Sequence, residues 1–227
     1  FISTPKCACT SFKALILNFE TKENKSIEVH NLARKNLEFS ALKYSNKKLK
    51  NFLESYEIIS LWRSPVERFF SAFKDKVLNL SNKESDGTKR DISNHVKRFL
   101  PREVFKRWQQ EICDNKQINI ESDLAQILLE GFVNGIVKSH DCTLNPHFAS
   151  QSYCQRLDLI PFNRINYKIS SFPKAVLHFD GTDKTPANYT LNVSNETTFI
   201  EDRLTSNYET TLRARYSLDL ILFQSAK

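Results

Sequence analysis

The 227-residue chain is poor in glycine, with only Gly87, Gly131, Gly135 and Gly181, and it has no methionine. Average usage puts glycine near ~7%, so collagen-like, linker-rich and Gly-loop nucleotide-binding designs are excluded. Neither a Walker nor a Rossmann fingerprint can be assembled from those four positions. The missing methionines point to a fragment whose N-terminus is absent, or to selenomethionines dropped from the written chain so that counted spacings hide gaps. No apolar run approaches the ~18 residues of a membrane span, and no signal-peptide pattern opens the chain. Any membrane anchor is expected only upstream of Phe1.

Cysteine is also sparse and odd in number: Cys7, Cys9, Cys113, Cys142 and Cys154, without paired C-x-x-C spacing. That pattern argues against zinc, and no metal site is expected. A Cys142–Cys154 loop disulfide is open, but reduced thiols in a cytoplasmic protein are the simpler reading. Sequons at Asn79, Asn188, Asn192 and Asn195 carry little weight in a chain so rich in Asn, Ser and Thr.

What the chain does have is a basic excess. Lys plus Arg number 33 against 26 for Asp plus Glu, a net charge of +7 spread along the sequence. Solubility is the plain consequence, and attraction of an anionic ligand the functional one. The length suits one core domain with appended helices. Strands and helices alternate through the first half, which implies an α/β fold with a parallel sheet. Phe1 to Ser3 end a strand, and an apolar-periodic helix begins after Ser11. Ser26–Val29 is a second strand with His30 at its end. Residues 56–62 have the composition of a buried parallel strand. A helix then starts with Ser64 as N-cap, Pro65 at N1 and Glu67 at N3, a capping box. Residues 79–93 read as a mobile surface loop, 94–112 and 122–137 as helices, and 138–156 as irregular chain carrying His140, Asp141 and His147. A strand over 157–167, a helix over 169–179 and a last helix from about 201 to 223 complete the pattern.

Two segments carry chemistry. In Thr4-Pro5-Lys6-Cys7-Ala8-Cys9-Thr10-Ser11 a strand turns through small residues into a helix start, presenting backbone N–H groups, two hydroxyls and a lysine at one spot. That is an anion site. In Trp62-Arg63-Ser64-Pro65-Val66-Glu67-Arg68-Phe69-Phe70-Ser71, Arg63 ends a buried strand, where α/β folds place ligand contacts. Ser71 lies two turns into the next helix, so Arg63 and Ser71 can hold a second anion. Arg68 either assists there or pairs with a carboxylate.

Two anion sites at the ends of two parallel strands suit a ligand with two separated phosphates. Pro5-Lys6-x-Ala8-Cys9-Thr10-Ser11-Phe12-Lys13 and Arg63-x-Pro65-x-Glu67-Arg68-x-x-Ser71-Ala72-Phe73-x-x-Lys76 resemble the 5'-phosphosulfate and 3'-phosphate motifs of carbohydrate sulfotransferases. The likeness is to the chondroitin, dermatan and HNK-1 type group, with uronyl 2-sulfotransferases as relatives. His147-Phe148-x-x-Gln151-x-x-Cys154 is similar to that group's His-Trp-x-Pro-Gln...Cys segment, and Tyr216-x-x-Asp219-x-x-Leu222-Phe223 to its closing helix. Phe148 in place of Trp, Ser150 in place of Pro and a missing later Glu fall in the acceptor half.

The resemblance implies a P-loop-like three-layer sandwich, with a central parallel sheet flanked by helices, as one sulfotransferase domain over 1–227. Residues 1–77 would be the donor-binding core, 78–156 a helical and loop insert with acceptor contacts, and 157–227 the C-terminal strand and helices. The implied donor is 3'-phosphoadenosine 5'-phosphosulfate, leaving 3',5'-adenosine bisphosphate as product, with no metal. It would be held by Pro5, Lys6, Cys7, Ala8, Cys9, Thr10, Ser11, Arg63 and Ser71. Lys6 would act in catalysis, and His30 is preferred over His147 as the base. His95 and His178 are expected to be structural. The implied partner is a carbohydrate, acidic polysaccharides included, and not nucleic acid. A bacterial cytoplasm is the preferred location, and a Golgi lumen with an upstream anchor the alternative. The rivals are a P-loop kinase, which lacks its G-x-x-x-x-G-K-[ST] here, and a non-catalytic module that binds anionic glycan.

Overall fold

Five successive buried residues, Ile58–Trp62, make strand β1. Burial on both faces is what a parallel strand requires, and the run of Ile, Leu and Trp supplies it. In this computed structural model of the chain, residues 4–7, 47, 51, 58–80, 86–114, 117–155, 164–171 and 208–227 are described. They fall into two compact units. One comprises Phe1–Arg63, Gln151–Ser194 and Ile221–Lys227; the other comprises Ser64–Ser150 and Asn195–Leu220.

In unit 1, β1 pairs in parallel with β2 (Arg164–Lys168), Ile58 facing Arg164 and Trp62 facing Lys168. The architecture is therefore α/β, with a two-stranded parallel sheet among the described residues. The polar groups between the strands satisfy one another. Trp62 Nε1 donates to Asn166 Oδ1 at 2.8 Å and Ser60 Oγ donates to the same oxygen at 2.6 Å. The chain end pairs with β2 as well: Lys168 N donates to Lys227 O, and Lys227 N to Asn166 O, both at 2.8 Å. β2 begins at Arg164, inside the strand expected over 157–167. After a 3-10 turn over Ile169–Ser171, most of the helix expected over 169–179 lies outside the described residues, as do Phe1–Ser3 and the Ser26–Val29 strand.

Unit 2 opens with helix α1 (Pro65–Phe73), continued by a π-helical turn over Lys74–Leu78. Pro65 stands at N1 as expected, but Ser64 makes no side-chain cap bond, so the capping box does not form. Pro65 pre-sets the helical φ, which lessens what a side-chain cap has to do. Phe69, Phe73, Phe99, Phe132 and Phe148 meet ring on ring as the centre of this unit's core. Trp108 is buried with its Nε1 donating to Val77 O at 2.9 Å.

The helix expected over 94–112 is two helices, α2 (Asp86–Phe99) and α3 (Arg102–Cys113). Pro101 breaks them, since it lacks an N–H and restrains the residue before it. From Asp86 on, α2 also corrects the loop expected over 79–93, of which residues 81–85 lie outside the described residues. In the helical part of that stretch Ile92 is the apolar residue that meets the core, which is too short a signal to show a helical period. Helix α4 (Asp123–Val137) matches its expected span, with Ser122 Oγ accepting from Ala125 N at 3.2 Å as N-cap. Gly131 and Gly135 let α4 approach α2. A Cβ on Gly135 would stand 2.2 Å from Phe99 Cγ, and one on Gly131 2.4 Å from Leu100 Cδ2. The irregular stretch after α4 contains a 3-10 turn (Asp141–Thr143) in unit 2, and in unit 1 the short helix α5 (Gln151–Cys154). The expected last helix is broken at Tyr216, between helical residues 208–215 and α6 (Ser217–Ser225). Among the described residues no helix is long and apolar enough to cross a membrane.

Candidate active site

In unit 1, Thr4, Pro5, Lys6 and Cys7 form a turn closed by Cys7 N donating to Thr4 O at 3.2 Å. Pro5 takes the second position, which its fixed φ suits. Lys6 takes the third with φ 65°, and it alone among the described non-glycine residues has a positive φ. A third-position residue with positive φ is the mark of a type II turn, normally filled by glycine. In a lysine the Cβ crowds the carbonyl, costing about 1–2 kcal/mol. Thr4 is buried at 1% exposure, and its Oγ1 has no hydrogen-bond partner among the described residues. A hydroxyl donor is thus held in reserve two residues before Lys6.

The turn is tied to the end of β1 by one side chain. Gln151, 1% exposed, accepts at Oε1 from Cys7 Sγ at 3.2 Å and from Arg63 N at 3.5 Å, and donates from Nε2 to Leu61 O at 2.6 Å. A backbone N–H can only donate and a carbonyl only accept, so these partners determine which way the amide points. Arg63 follows the last residue of β1, half-buried. Pro5, Lys6, Cys7 and Arg63 therefore belong to one unit and one network. Ala8, Cys9, Thr10, Ser11 and His30 lie outside the described residues. The sequence flagged Gln151 only through its family segment; its tie to Cys7, 144 residues away, leaves no local signal.

Ser71 and His147 belong to unit 2. Ser71 is half-buried on α1. His147 sits in a loop held from several sides. Arg68, 1% exposed, donates from Nη1 to Ala149 O at 2.8 Å and from Nη2 to Pro146 O at 2.7 Å. Tyr216 Oη donates to Phe148 O at 2.5 Å, and burial pushes its phenol pKa well up, keeping the proton in place. Asp141 accepts from Ser150 N at 2.8 Å and Ser150 Oγ at 2.5 Å, and pairs with Arg215 at 2.6 Å. Burial alone would raise the Asp141 pKa. The Ser150 hydrogen bonds and Arg215 outweigh it, and the net shift is downward.

Asn145 sets the state of His147. Its Oδ1 accepts from His147 N at 3.1 Å, which identifies that atom as the oxygen, and the same oxygen lies 2.6 Å from His147 Nδ1. Nδ1 must therefore carry the proton, and the basic nitrogen of the neutral ring is Nε2. Asn145 N donates in turn to Nε2 of the buried His95 at 3.0 Å. His95 is structural, as expected, and burial lowers its pKa. Sequence reading missed Asn145, which is a buried amide within irregular chain. Among the described residues, Cys7, Cys113, Cys142 and Cys154 form no disulfide with one another.

Comparison with curated proteins and with solved structures returns no match. The family model described as "Sulfotransferase family" matches residues 1–224. With a match that runs through nearly the whole sequence, the chain belongs to the sulfotransferase family.

Proposed function

We propose that the chain transfers a sulfuryl group from 3'-phosphoadenosine 5'-phosphosulfate to a hydroxyl of a carbohydrate acceptor. The observation that carries this reading is the buried Gln151 amide, which joins the Lys6 turn to Arg63 within one unit. Two basic residues tied together in this way fit a ligand with two anionic groups, and the reserve hydroxyl of Thr4 fits the same need. When bound, the donor supplies an activated sulfuryl group on a phosphate leaving group, and a 3'-phosphate for recognition. Lys6 neutralises charge growing toward the 5'-phosphate, assisted by the backbone N–H groups of Cys9 to Ser11 and the Thr10 and Ser11 hydroxyls. Arg63 holds the 3'-phosphate by a planar fork of donors that matches it.

The acceptor hydroxyl must lose a proton. The resemblance favours His30 as the base, with His147 as the second candidate; Asn145 leaves Nε2 as the basic nitrogen of a neutral His147 ring. The net charge of +7 favours an acidic glycan as acceptor. In the same reading the β1–β2 pair is part of a larger central sheet in a three-layer, P-loop-like sandwich.

The test is transfer of radiolabelled sulfate from the donor to a panel of glycans. His30→Ala should lower turnover by about 10²–10⁴, the usual worth of a general base, with His147→Ala near the unsubstituted rate. The reverse order would move the base to His147. Bisphosphate binding with no transfer to any glycan would make the chain a non-catalytic relative.

A further inference from the structure

We infer that Gln151 is a positioning residue that couples the two phosphate-contacting ends of the donor site. The inference rests on the donor reading above and deepens it. Gln151 is buried, and each polar atom of its amide has a defined task. Nε2 holds the Leu61 carbonyl at 2.6 Å, anchoring the amide to the end of strand β1 just before Arg63. Oε1 receives both the Cys7 thiol at 3.2 Å and the Arg63 N–H at 3.5 Å. One oxygen atom is thus shared by the residue that follows Lys6 and by the backbone of Arg63.

Cys7 is held at two points, its N–H by Thr4 O and its thiol by Gln151. The Lys6 backbone lies between those anchors and has the left-handed φ of 65°. The Thr4–Cys7 bond closes the Lys6 turn itself, so what the thiol contact adds is where that turn stands. That contact sets the spacing between the Lys6 turn and Arg63. A ligand with phosphates at both ends needs that spacing preset, because any freedom left in it is lost on binding. A ligand with one phosphate needs only one end.

This difference gives the inference a test separate from transfer activity. Calorimetric titration of the full chain compares 3',5'-adenosine bisphosphate with 5'-AMP, which lacks the 3'-phosphate. Gln151→Ala and Cys7→Ala should each weaken the bisphosphate about tenfold, roughly the worth of one buried hydrogen bond. Gln151→Ala should leave 5'-AMP within about twofold, since a single-ended ligand does not need the spacing. Cys7→Ser keeps a donor for Oε1 and should retain bisphosphate affinity within about twofold. Cys7→Ala is the milder change and serves if Gln151→Ala does not fold. Equal weakening of both nucleotides would make Gln151 a support of the fold only, and no weakening of either would remove any role. If the unsubstituted chain does not prefer the bisphosphate to 5'-AMP, the donor reading itself fails, and the inference with it.

Discussion

Lys6 offers a test in which the order of two simple substitutions reverses the usual one. At ordinary backbone positions glycine is less stable than alanine by about 0.5–1 kcal/mol, because the unfolded chain gains more freedom. At Lys6 the backbone has φ 65°, which costs an L-residue about 1–2 kcal/mol and glycine nothing. The two terms oppose each other, and Lys6→Gly should exceed Lys6→Ala in stability by roughly 0.5–1 kcal/mol. In a chain of this size that is a difference of about 1–4 °C in Tm. Urea unfolding of the ligand-free chain measures it directly. Both variants lose the ammonium group equally, so the comparison isolates the backbone. Both should also lose sulfuryl transfer, by about 10²–10³, the usual worth of one charge-stabilising donor. An alanine variant as stable as the glycine variant, or more so, would refute a strained Lys6 turn.

Other substitutions test the packing around the site. Arg68→Met removes both donors to Ala149 O and Pro146 O and should destabilise by about 3 kcal/mol, read from urea unfolding. Gly135→Ala puts a Cβ against the Phe99 ring; the crowding should outweigh the propensity gain of about 1 kcal/mol and leave a loss of about 1 kcal/mol. His95 gives a pH dependence. Its folded pKa is lowered by burial first and by Arg98 second, so between that value and the unfolded value near 6.5 the unfolded chain binds more protons. The stability is complete above the unfolded pKa and falls as pH drops through the folded one, and His95→Gln should flatten unfolding free energy against pH below about 6.5.

What the sequence shows of this protein is what depends on near neighbours. The apolar run that contains Ile58–Trp62, Pro65 at N1 and Ser122 before an apolar-periodic stretch each carry their structural cause within a few residues. Helix α2 was hidden because Ser, Asn, Asp and Gly surround its first turns, and its meaning comes from α4, whose glycines admit Phe99 and Leu100. The break at Pro101 was legible and under-read. In the candidate site, the Pro5-Lys6 pair and the Arg63-Ser-Pro start stood out by residue type and spacing. Gln151 and Asn145 did not, because each owes its role to partners that folding brings to it, Cys7 and Leu61 for one and His95 for the other. A buried amide at a fixed orientation is a tertiary fact, and no periodicity announces it.

The central claim is that a donor with separate 5'- and 3'-phosphates engages Lys6 and Arg63, and ligand-induced thermal stabilisation tests it most directly. The chain is melted with 3',5'-adenosine bisphosphate and, separately, with ADP and with ATP plus Mg²⁺. At about 100 times its Kd the bisphosphate should add about 2.7 kcal/mol to stability, raising Tm where ADP and ATP raise it little, and Arg63→Ala should abolish that selectivity. Equal shifts with all three nucleotides, or no shift with any, would contradict the account.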